Sequence, residues 1–408
     1  MSRLCSPLYA EILWLCLFMC SLALHPLPLR QVLSNNAIPD HEPSKKDVYL
    51  PEKRTPEHHP LVQFLLGGFG NWDSEYYIMI AEHGHLYEQT LAFFPLLPWV
   101  MNMMSSIVYS CTGLSQTTIP ARSMNLIMGW AVSNVAFLLA TILLYQLTLK
   151  VYGSSKMAAV ASLLFVVNPA SIFMSSVYTE SVFAMFSFAG MLCLETQHSW
   201  VAILLFTLGG ATRSNGVLAL LYLAYYHYRR LVALGCSYLA PGVIIGVVQS
   251  AFIIAPYVLF QLYGYCIYCS GEGGGNSVNS LVALLCSSIS LPAVVHRPTT
   301  HPPWCDQTLP HPYGYVQATY WGVGFLKYYQ LKQIPNFLLA TPIVLIGGFS
   351  LWSYFSACGE RLPSLLMGRR FFRSKQHDER LATSAPDTMG LLMLFMYHLH
   401  MGLLMLFM

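Results

Sequence analysis

The sequence predicts an all-α polytopic membrane protein, and its composition, low charge and long apolar segments carry that prediction. Of its 408 residues, 55% are hydrophobic and 10% are charged, and the mean hydropathy is +0.51. Soluble domains carry about 25% charged residues, so a water-soluble class is excluded. A helix crosses a bilayer with roughly 20 apolar residues, and about eight segments approach or exceed that length. The net charge of +3 is too small to indicate a nucleic-acid partner.

These segments divide the chain into six parts. The apolar run near the start is long enough to span the membrane, although a cleaved signal peptide has a similar pattern. The predicted parts are a first transmembrane helix (1–29), a polar loop (30–90), a transmembrane helical core (91–263), a second long loop (264–334), one more transmembrane helix (335–356), and a basic segment with an atypical apolar C-terminus (357–408).

The predicted spans and the positive charges together give an orientation. If Arg3 is cytosolic, an odd number of spans places both long loops on the far side of the membrane. Arg122 and Arg229–Arg230 then fall in the cytosol, as the positive-inside rule expects, whereas Lys150 and Lys156 do not. The spans after the first are predicted near 91–112, 124–149, 157–174, 178–195, 200–226, 231–263 and 335–356.

The stretch 67–98 differs in its chemistry from the apolar remainder. Its carboxylates are Asp73, Glu75, Glu82 and Glu88, and they stand among histidines and aromatic residues. Carboxylates placed beside the first spans of a membrane protein usually serve catalysis or recognition. Apolar residues recur at helical spacing after Asp73, so this residue lies at or near a helix start, where a carboxylate is favoured. A role for Asp73 as a helix N-cap alone stays open.

This stretch also resembles the signature of a known enzyme family. WDSEYYIMIAEHGHLYEQTLAFFPLLP (72–98) is similar to the Trp-Asp pair, the I-A-E-x-G-Y-L-Y-E run and the A-F-F-P block of the PIG-V family, the GPI mannosyltransferases that add the second mannose of the anchor. Similar blocks follow in the family's order at GGATRSNG (209–216), PPWC (302–305) and YWGVGFLKYYQLKQIPNFLLATP (320–342).

The resemblance implies a GT-C-type glycosyltransferase of the endoplasmic reticulum (ER) membrane, with about eight transmembrane helices and two long luminal loops. Such an enzyme transfers mannose from dolichol-phosphate-mannose to a mannosylated GPI precursor lipid and forms the α-1,6-linked second mannose. It implies no cofactor and no metal, and it leaves an accessory membrane subunit open. The sequence carries neither a nucleotide-binding glycine motif nor a DxD pair.

The family motif also indicates the catalytic residues. Asp73 matches the acidic position in the first luminal loop and is the predicted general base, which takes the proton of the acceptor hydroxyl. Glu75 is the second candidate. The alternative to substrate binding is an interfacial belt for the aromatic residues, and it is pairing with neighbouring side chains for the acidic residues. Substrate binding in this stretch is predicted for Trp72, Tyr76, Glu82, His83, Tyr87, Glu88, Phe93 and Phe94.

Arg213 lies inside a long apolar segment, where a buried guanidinium is costly unless it is paired. Its planar fork suits the donor's phosphate, and a salt bridge to Glu180 or Glu195 is the alternative. Asn215 is predicted to hold the same site in place. Residues 178–181 face a cavity or cap the following helix, and the cap is the favoured interpretation.

The second long loop contributes further candidate substrate-binding residues. Trp304, Trp321 and Lys327 lie in it, and Asn336 lies just past its end. The lysine suits the anionic groups of a GPI precursor, with a snorkelling stem at the membrane edge as the alternative. Gly322 stands where the family block has Asn, so one polar contact is expected to be absent.

The cysteines give little indication of a metal or redox site. Cys266 and Cys269 form a lone CxxC at the end of an apolar segment, without the second pair that a zinc site needs. Most of the other cysteines lie inside apolar runs and are expected to behave as small hydrophobic residues.

Two other functions remain open. A transporter would suit Arg213 and helix breaks near Asn168–Pro169 and Pro256, although the sequence shows no internal repeat. An inactive relative that serves as an assembly partner is the second. MGLLMLFM occurs at 389–396 and again at 401–408, and the family usually continues for several further spans, so a C-terminally truncated chain is expected.

Overall fold

The computed structural model describes residues 58–167, 171–269, 286, 302–307 and 310–324, with scattered positions between 330 and 352. The regular structure in these residues is α-helical or 3-10, without a β-strand, so the all-α prediction is confirmed. The predicted first helix, residues 30–57, the basic C-terminal segment, Lys327 and Asn336 lie outside the described residues.

The described helices are numbered in chain order, and short 3-10 turns connect several of them. The α-helices are α1 Pro60–Leu66, α2 Asp73–His83, α3 Leu96–Thr112, α4 Ala121–Tyr152, α5 Ser155–Val166, α6 Ser171–Ser175, α7 Glu180–Glu195, α8 Ser199–Thr212, α9 Ala219–Leu234, α10 Leu239–Cys269 and α11 Pro312–Tyr320. The 3-10 turns are Gly67–Gly70, Glu88–Ala92, Ser214–Leu218, Gly235–Tyr238 and Pro303–Asp306.

Within the described residues, two helical stretches are long and apolar enough to cross a membrane: α4, and the stretch Ser214–Cys269 that contains α9 and α10. α4 has 32 residues, and at 1.5 Å per residue it is about 48 Å long. The hydrocarbon layer of a bilayer is about 30 Å thick. By its length α4 could cross this layer with residues to spare, while the predicted number of eight spans is not confirmed.

The predicted span 91–112 contains a helix of 17 residues that packs against a longer neighbour. It begins as the turn Glu88–Ala92 and continues as α3, which packs along the first half of α4. The Ser105 hydroxyl donates to Asn125 Oδ1 at 2.8 Å, and the Tyr109 hydroxyl donates to the Ile119 carbonyl at 2.7 Å. These contacts make α3 and the first half of α4 a helical hairpin.

Two more predicted spans are divided. Residues 157–174 separate into α5 and α6. Residues 200–226 separate into α8 and α9, because the backbone becomes extended at Arg213 with φ −163° and ψ 155°. Arg213 is therefore not in the middle of a continuous apolar helix. It occupies the break between two helices.

The predicted break at Pro256 does not occur, because a neighbouring helix supplies the missing hydrogen bond. Proline has no N–H, so the Phe252 carbonyl inside α10 loses its usual donor. The Thr207 hydroxyl on α8 lies 3.1 Å from that carbonyl and 2.8 Å from the Ile203 carbonyl of its own helix. The shared hydroxyl lets α10 continue through the proline.

Helix α7 connects two ion pairs at its opposite ends. Glu180 at its start binds Arg213 at 2.7 Å, and Glu195 at its end binds Arg229 at 3.1 Å. Between them, α7 packs against α4 and α8 through an apolar core. Members of that core are Phe137, Phe165, Phe188, Met191, Phe206 and Tyr222.

Both cysteines of the CxxC form disulfides, a role that the sequence did not predict for them. Cys266 pairs with Cys286, and Cys269 pairs with Cys305. The second long loop is thereby joined to the C-terminal end of α10.

Candidate active site

The predicted base lies at the start of α2, immediately after a strained residue. Trp72 occupies the N-cap position with φ 61° and ψ −127°, and its side chain makes no capping hydrogen bond. A positive φ is rare for a bulky side chain, and such strain is concentrated at functional sites. Asp73 is the first helical residue, so the N-cap alternative for Asp73 is wrong.

Asp73 faces a buried pair of opposite charges. Burial and the negative charge of Glu180 raise the pKa of its carboxyl, the positive charge of Arg213 opposes the increase, and the resulting pKa is about 6. Arg213 pairs with Glu180 and not with Asp73. Among the ion pairs of the described residues none includes Asp73, so this carboxylate is available to take a proton.

Arg213 is positioned by a tight backbone contact within the GGATRSNG motif. A Cβ atom on Gly216 would lie 2.3 Å from the Gly210 Cα and 2.6 Å from its nitrogen, so only glycine fits there. The turn holds Arg213 extended, with its guanidinium 6.0 Å from the ring centroid of Phe183. The next residue, Ser214, lies 2.8 Å from the hydroxyl of Tyr313 in the second loop.

The segment before α7 brings Glu180 to the site and does not act as a side-chain cap. Thr179 occupies the N-cap position without a capping hydrogen bond, and its hydroxyl lies 3.4 Å from the Tyr77 hydroxyl on α2. The Ser181 hydroxyl donates to the Met174 carbonyl. The sequence predicted Glu180 as an ion-pair partner of Arg213 or as part of a cavity-facing or capping segment, and it was not among the predicted substrate-binding residues. The indication for such a role is an acidic residue at the start of a long apolar helix.

Arg122 binds the other two acidic residues of α2. It forms ion pairs with Glu75 and with Glu82 at 3.2 Å. The two glutamates are two helical turns apart on one face, and the Arg122 side chain is 5% exposed. Arg122 and the helix that follows the Trp-Asp pair therefore lie together, which contradicts the prediction that places them on opposite sides of the membrane. Glu75 is engaged in an ion pair, unlike Asp73.

The chain was compared with known families and proteins. The profile of the family described as "Mannosyltransferase (PIG-V)" matches residues 28–408. The chain belongs to the PIG-V mannosyltransferase family.

Curated relatives in this family carry GPI mannosyltransferase names. "GPI alpha-1,6-mannosyltransferase 2" of Mus musculus is 35% identical over 79% of this chain and 65% of its own length. The Homo sapiens protein of the same name is 33% identical over 92% of this chain and 74% of its own length. "GPI mannosyltransferase 2" of Drosophila melanogaster is 32% identical over 80% of this chain and 73% of its own length. No solved structure matches.

In this PIG-V family member, Glu88 and Trp304 bind each other. Glu88 is buried and accepts a hydrogen bond from the Trp304 indole at 2.7 Å and one from the Tyr320 hydroxyl at 2.8 Å. Trp304 is completely buried and lies next to the Cys269–Cys305 disulfide. The hydrogen bond between Glu88 and Trp304 joins the two long loops. It agrees with the alternative interpretation of Glu88, in which this residue pairs with neighbouring side chains.

The predicted aromatic residues form a packed cluster beside α2. Tyr76 stacks on Phe93 with ring centroids 4.6 Å apart, and Trp321 meets Phe93 edge-on at 5.8 Å. Phe94 is buried against Phe260 at 4.7 Å and belongs to the core. Tyr76 and Trp321 keep partial exposure, so they are the members of this cluster that a substrate can reach.

The remaining predicted residues lie around this centre. Trp72 is exposed, with its ring 6.4 Å from Phe173. His83 is exposed at the end of α2, Tyr87 is partly exposed just before the turn at Glu88, and Asn215 is partly buried next to Arg213. In the part of the chain that the structure describes, no group of three His, Cys, Asp or Glu side chains is placed to hold a metal ion.

His85 is a buried neighbour that the predicted set of site residues omitted. Its Nε2 lies 3.0 Å from the Phe93 carbonyl and donates to it, since a carbonyl only accepts. Burial lowers the pKa of His85 to about 4, and the bond to Phe93 opposes this decrease. The imidazole is therefore neutral at physiological pH and links the aromatic cluster to Phe260 and Tyr263.

Proposed function

We propose that this chain transfers the second, α-1,6-linked mannose from dolichol-phosphate-mannose to a GPI-anchor intermediate. Family membership and the names of the mouse and human relatives support the reaction. The observation that carries the proposal is the position of Asp73, an unpaired carboxylate beside the buried Arg213–Glu180 pair. A base and a cation in one partly buried site are what sugar transfer from a lipid phosphate needs.

The chemistry assigns separate roles to the two charges. Asp73 takes the proton of the acceptor hydroxyl while the oxygen of that hydroxyl forms a bond to the anomeric carbon of mannose. The bond from that carbon to the phosphate oxygen breaks with its electron pair, and dolichyl phosphate leaves. Arg213 then stabilises the charge on the leaving phosphate. Its bond of 2.7 Å to Glu180 uses a single N–H, so other N–H groups of the guanidinium can face the phosphate.

The proposed location is the ER membrane, with the site facing the lumen. Disulfides form in oxidising compartments such as the ER lumen, and two disulfides join the second loop to α10. Lys150 and Lys156 lie at the junction of α4 and α5, and Arg229 pairs with the end of α7 that is opposite Glu180. This basic end would face the cytosol, so both lysines follow the positive-inside rule once α3 is not counted as a span.

Complementation tests the function. In cells that lack the second GPI mannosyltransferase, the wild-type chain and Glu195→Gln should restore GPI-anchored proteins at the cell surface. Asp73→Asn at equal abundance should not, because an amide does not accept the proton. Rescue by Asp73→Asn would place the base elsewhere, with Glu75 as the next candidate. A wild-type chain that is stable in the membrane without rescue would contradict the proposed activity.

A further inference from the structure

Within the described part of the chain, one oxygen of the Glu180 carboxylate is left without a hydrogen-bond partner beside the proposed site. This residue is 6% exposed, and its Oε1 accepts the 2.7 Å bond from Arg213. Its Oε2 is buried and has no hydrogen-bond partner among the described residues. A buried carboxylate oxygen without a partner costs free energy, so it is rare in a native fold without a functional reason.

A purely structural role does not explain this geometry. A carboxylate that serves only to neutralise an arginine is most stable in the bidentate arrangement, in which both oxygens receive N–H groups. Glu195 shows the contrast at the other end of α7, because both of its oxygens lie within 3.4 Å of Arg229 Nη1. At Glu180 one oxygen is used and the other is left for a different donor.

We propose that Glu180 Oε2 accepts a hydrogen bond from a sugar hydroxyl, so that Glu180 is a substrate-binding residue that orients a mannose beside Asp73. The inference rests on the proposed function and adds a specificity-determining residue to it. A phosphodiester carries no proton and is repelled by a carboxylate, so it is not the ligand of this oxygen. A hydroxyl supplies the donor that the oxygen lacks. Arg213 and Glu180 would then bind the phosphate and the sugar, respectively.

The test combines a variant with substrates that lack single hydroxyl groups. Full-length protein in detergent is given a short-chain polyprenyl-phosphate-mannose and a synthetic mannoside acceptor, each also as a series of single-deoxy analogues. For the wild type, one analogue should lose about 10- to 150-fold in kcat/KM, the size of a hydrogen bond to a charged group. In Glu180→Gln, the kcat/KM values for that analogue and for its parent should lie within about threefold of each other. The matched control Glu195→Gln should keep the wild-type ratio.

The outcomes separate this inference from the function on which it rests. The role of Glu180 alone would be overturned if the wild type and Glu180→Gln both transfer mannose and show the same ratio of kcat/KM between parent and deoxy substrate for every analogue. Absence of transfer by the wild type to any acceptor would overturn the proposed function itself. If Glu180→Gln does not fold, Glu180→Asp gives the same readout, because its charge still pairs with Arg213 while the carboxylate withdraws by one methylene.

Discussion

At the scale of single residues, the electrostatics of Asp73 predict the pH dependence of the proposed reaction. A general base works only when deprotonated, and the pKa of Asp73 is raised to about 6 by burial and by Glu180. We expect kcat/KM to fall about tenfold per pH unit below 6 and to be constant above it. Initial rates across the range from pH 4.5 to 8 measure this profile.

The variant Glu180→Gln should shift the pH inflection in a direction that the structure predicts. The substitution removes a negative charge near Asp73 and leaves the Arg213 charge uncompensated, and both changes stabilise the Asp73 carboxylate. The inflection should therefore move to lower pH, while Glu195→Gln, at the far end of α7, should leave it in place. An inflection that stays near 6 in Glu180→Gln would show that Asp73 is not the group that titrates.

The sequence identified Asp73, but it did not distinguish the partners of the surrounding acidic residues. Glu75, Glu82 and Glu88 share a short segment and similar chemistry in the sequence. The fold assigns the first two to Arg122 and the third to Trp304 and Tyr320. These partners are 40 to 232 residues away in the chain, so local spacing contains no information about them.

At the scale of helices, Thr207 and Pro256 predict a measurable coupling. Thr207→Val removes the donor that compensates for the proline and should lower the free energy of unfolding by about 1 kcal/mol. In a Pro256→Ala background, alanine supplies its own N–H to the Phe252 carbonyl, so the same substitution should cost much less. Thermal unfolding of the two single variants and the double variant in detergent gives the coupling. Equal costs in both backgrounds would contradict the compensation.

The same helices explain why the helix breaks predicted from the sequence differ from those in the structure. A proline inside an apolar run usually predicts an interruption, yet α10 continues because its partner lies on another helix. The interruption at Arg213 is hidden from hydropathy, since apolar helical segments lie on both sides of it. Its cause is the contact between Gly210 and Gly216, which a hydropathy window does not register.

At the scale of the whole molecule, the packing of α3 against α4 predicts the membrane topology. A glycosylation sequon inserted between α3 and α4, at 113–120, should be modified, because this loop lies near Arg122 on the side of the site. A sequon between α4 and α5, at 153–154, should stay unmodified. A third sequon at 196–198 serves as a cytosolic control. Modification at 153–154 but not at 113–120 would restore the original assignment of a span at 91–112.

Pattern alone predicted the membrane class, while the disulfides and the order of crossings needed the fold. The second loop contains cysteines 20 and 36 residues from their partners, and connectivity is not deducible from spacing. Apolar length predicts which segments can lie in lipid. It does not show how such segments pack against one another, as α3 packs against α4.

The length of α4 determines where the proposed reaction takes place relative to the lipids. The Ser133 hydroxyl on α4 donates to the Tyr178 carbonyl at 3.3 Å, close to Glu180. From Ser133 to the end of α4 at Tyr152 is about 28 Å at 1.5 Å per residue, nearly one hydrocarbon thickness. With α4 crossing the bilayer in the orientation proposed above, the site would lie at the height of the luminal head groups, where the two lipid-linked substrates of the proposed reaction would present their sugars. Encounter becomes a two-dimensional search, so the rate would follow the surface density of donor and acceptor in the leaflet and not their bulk concentration.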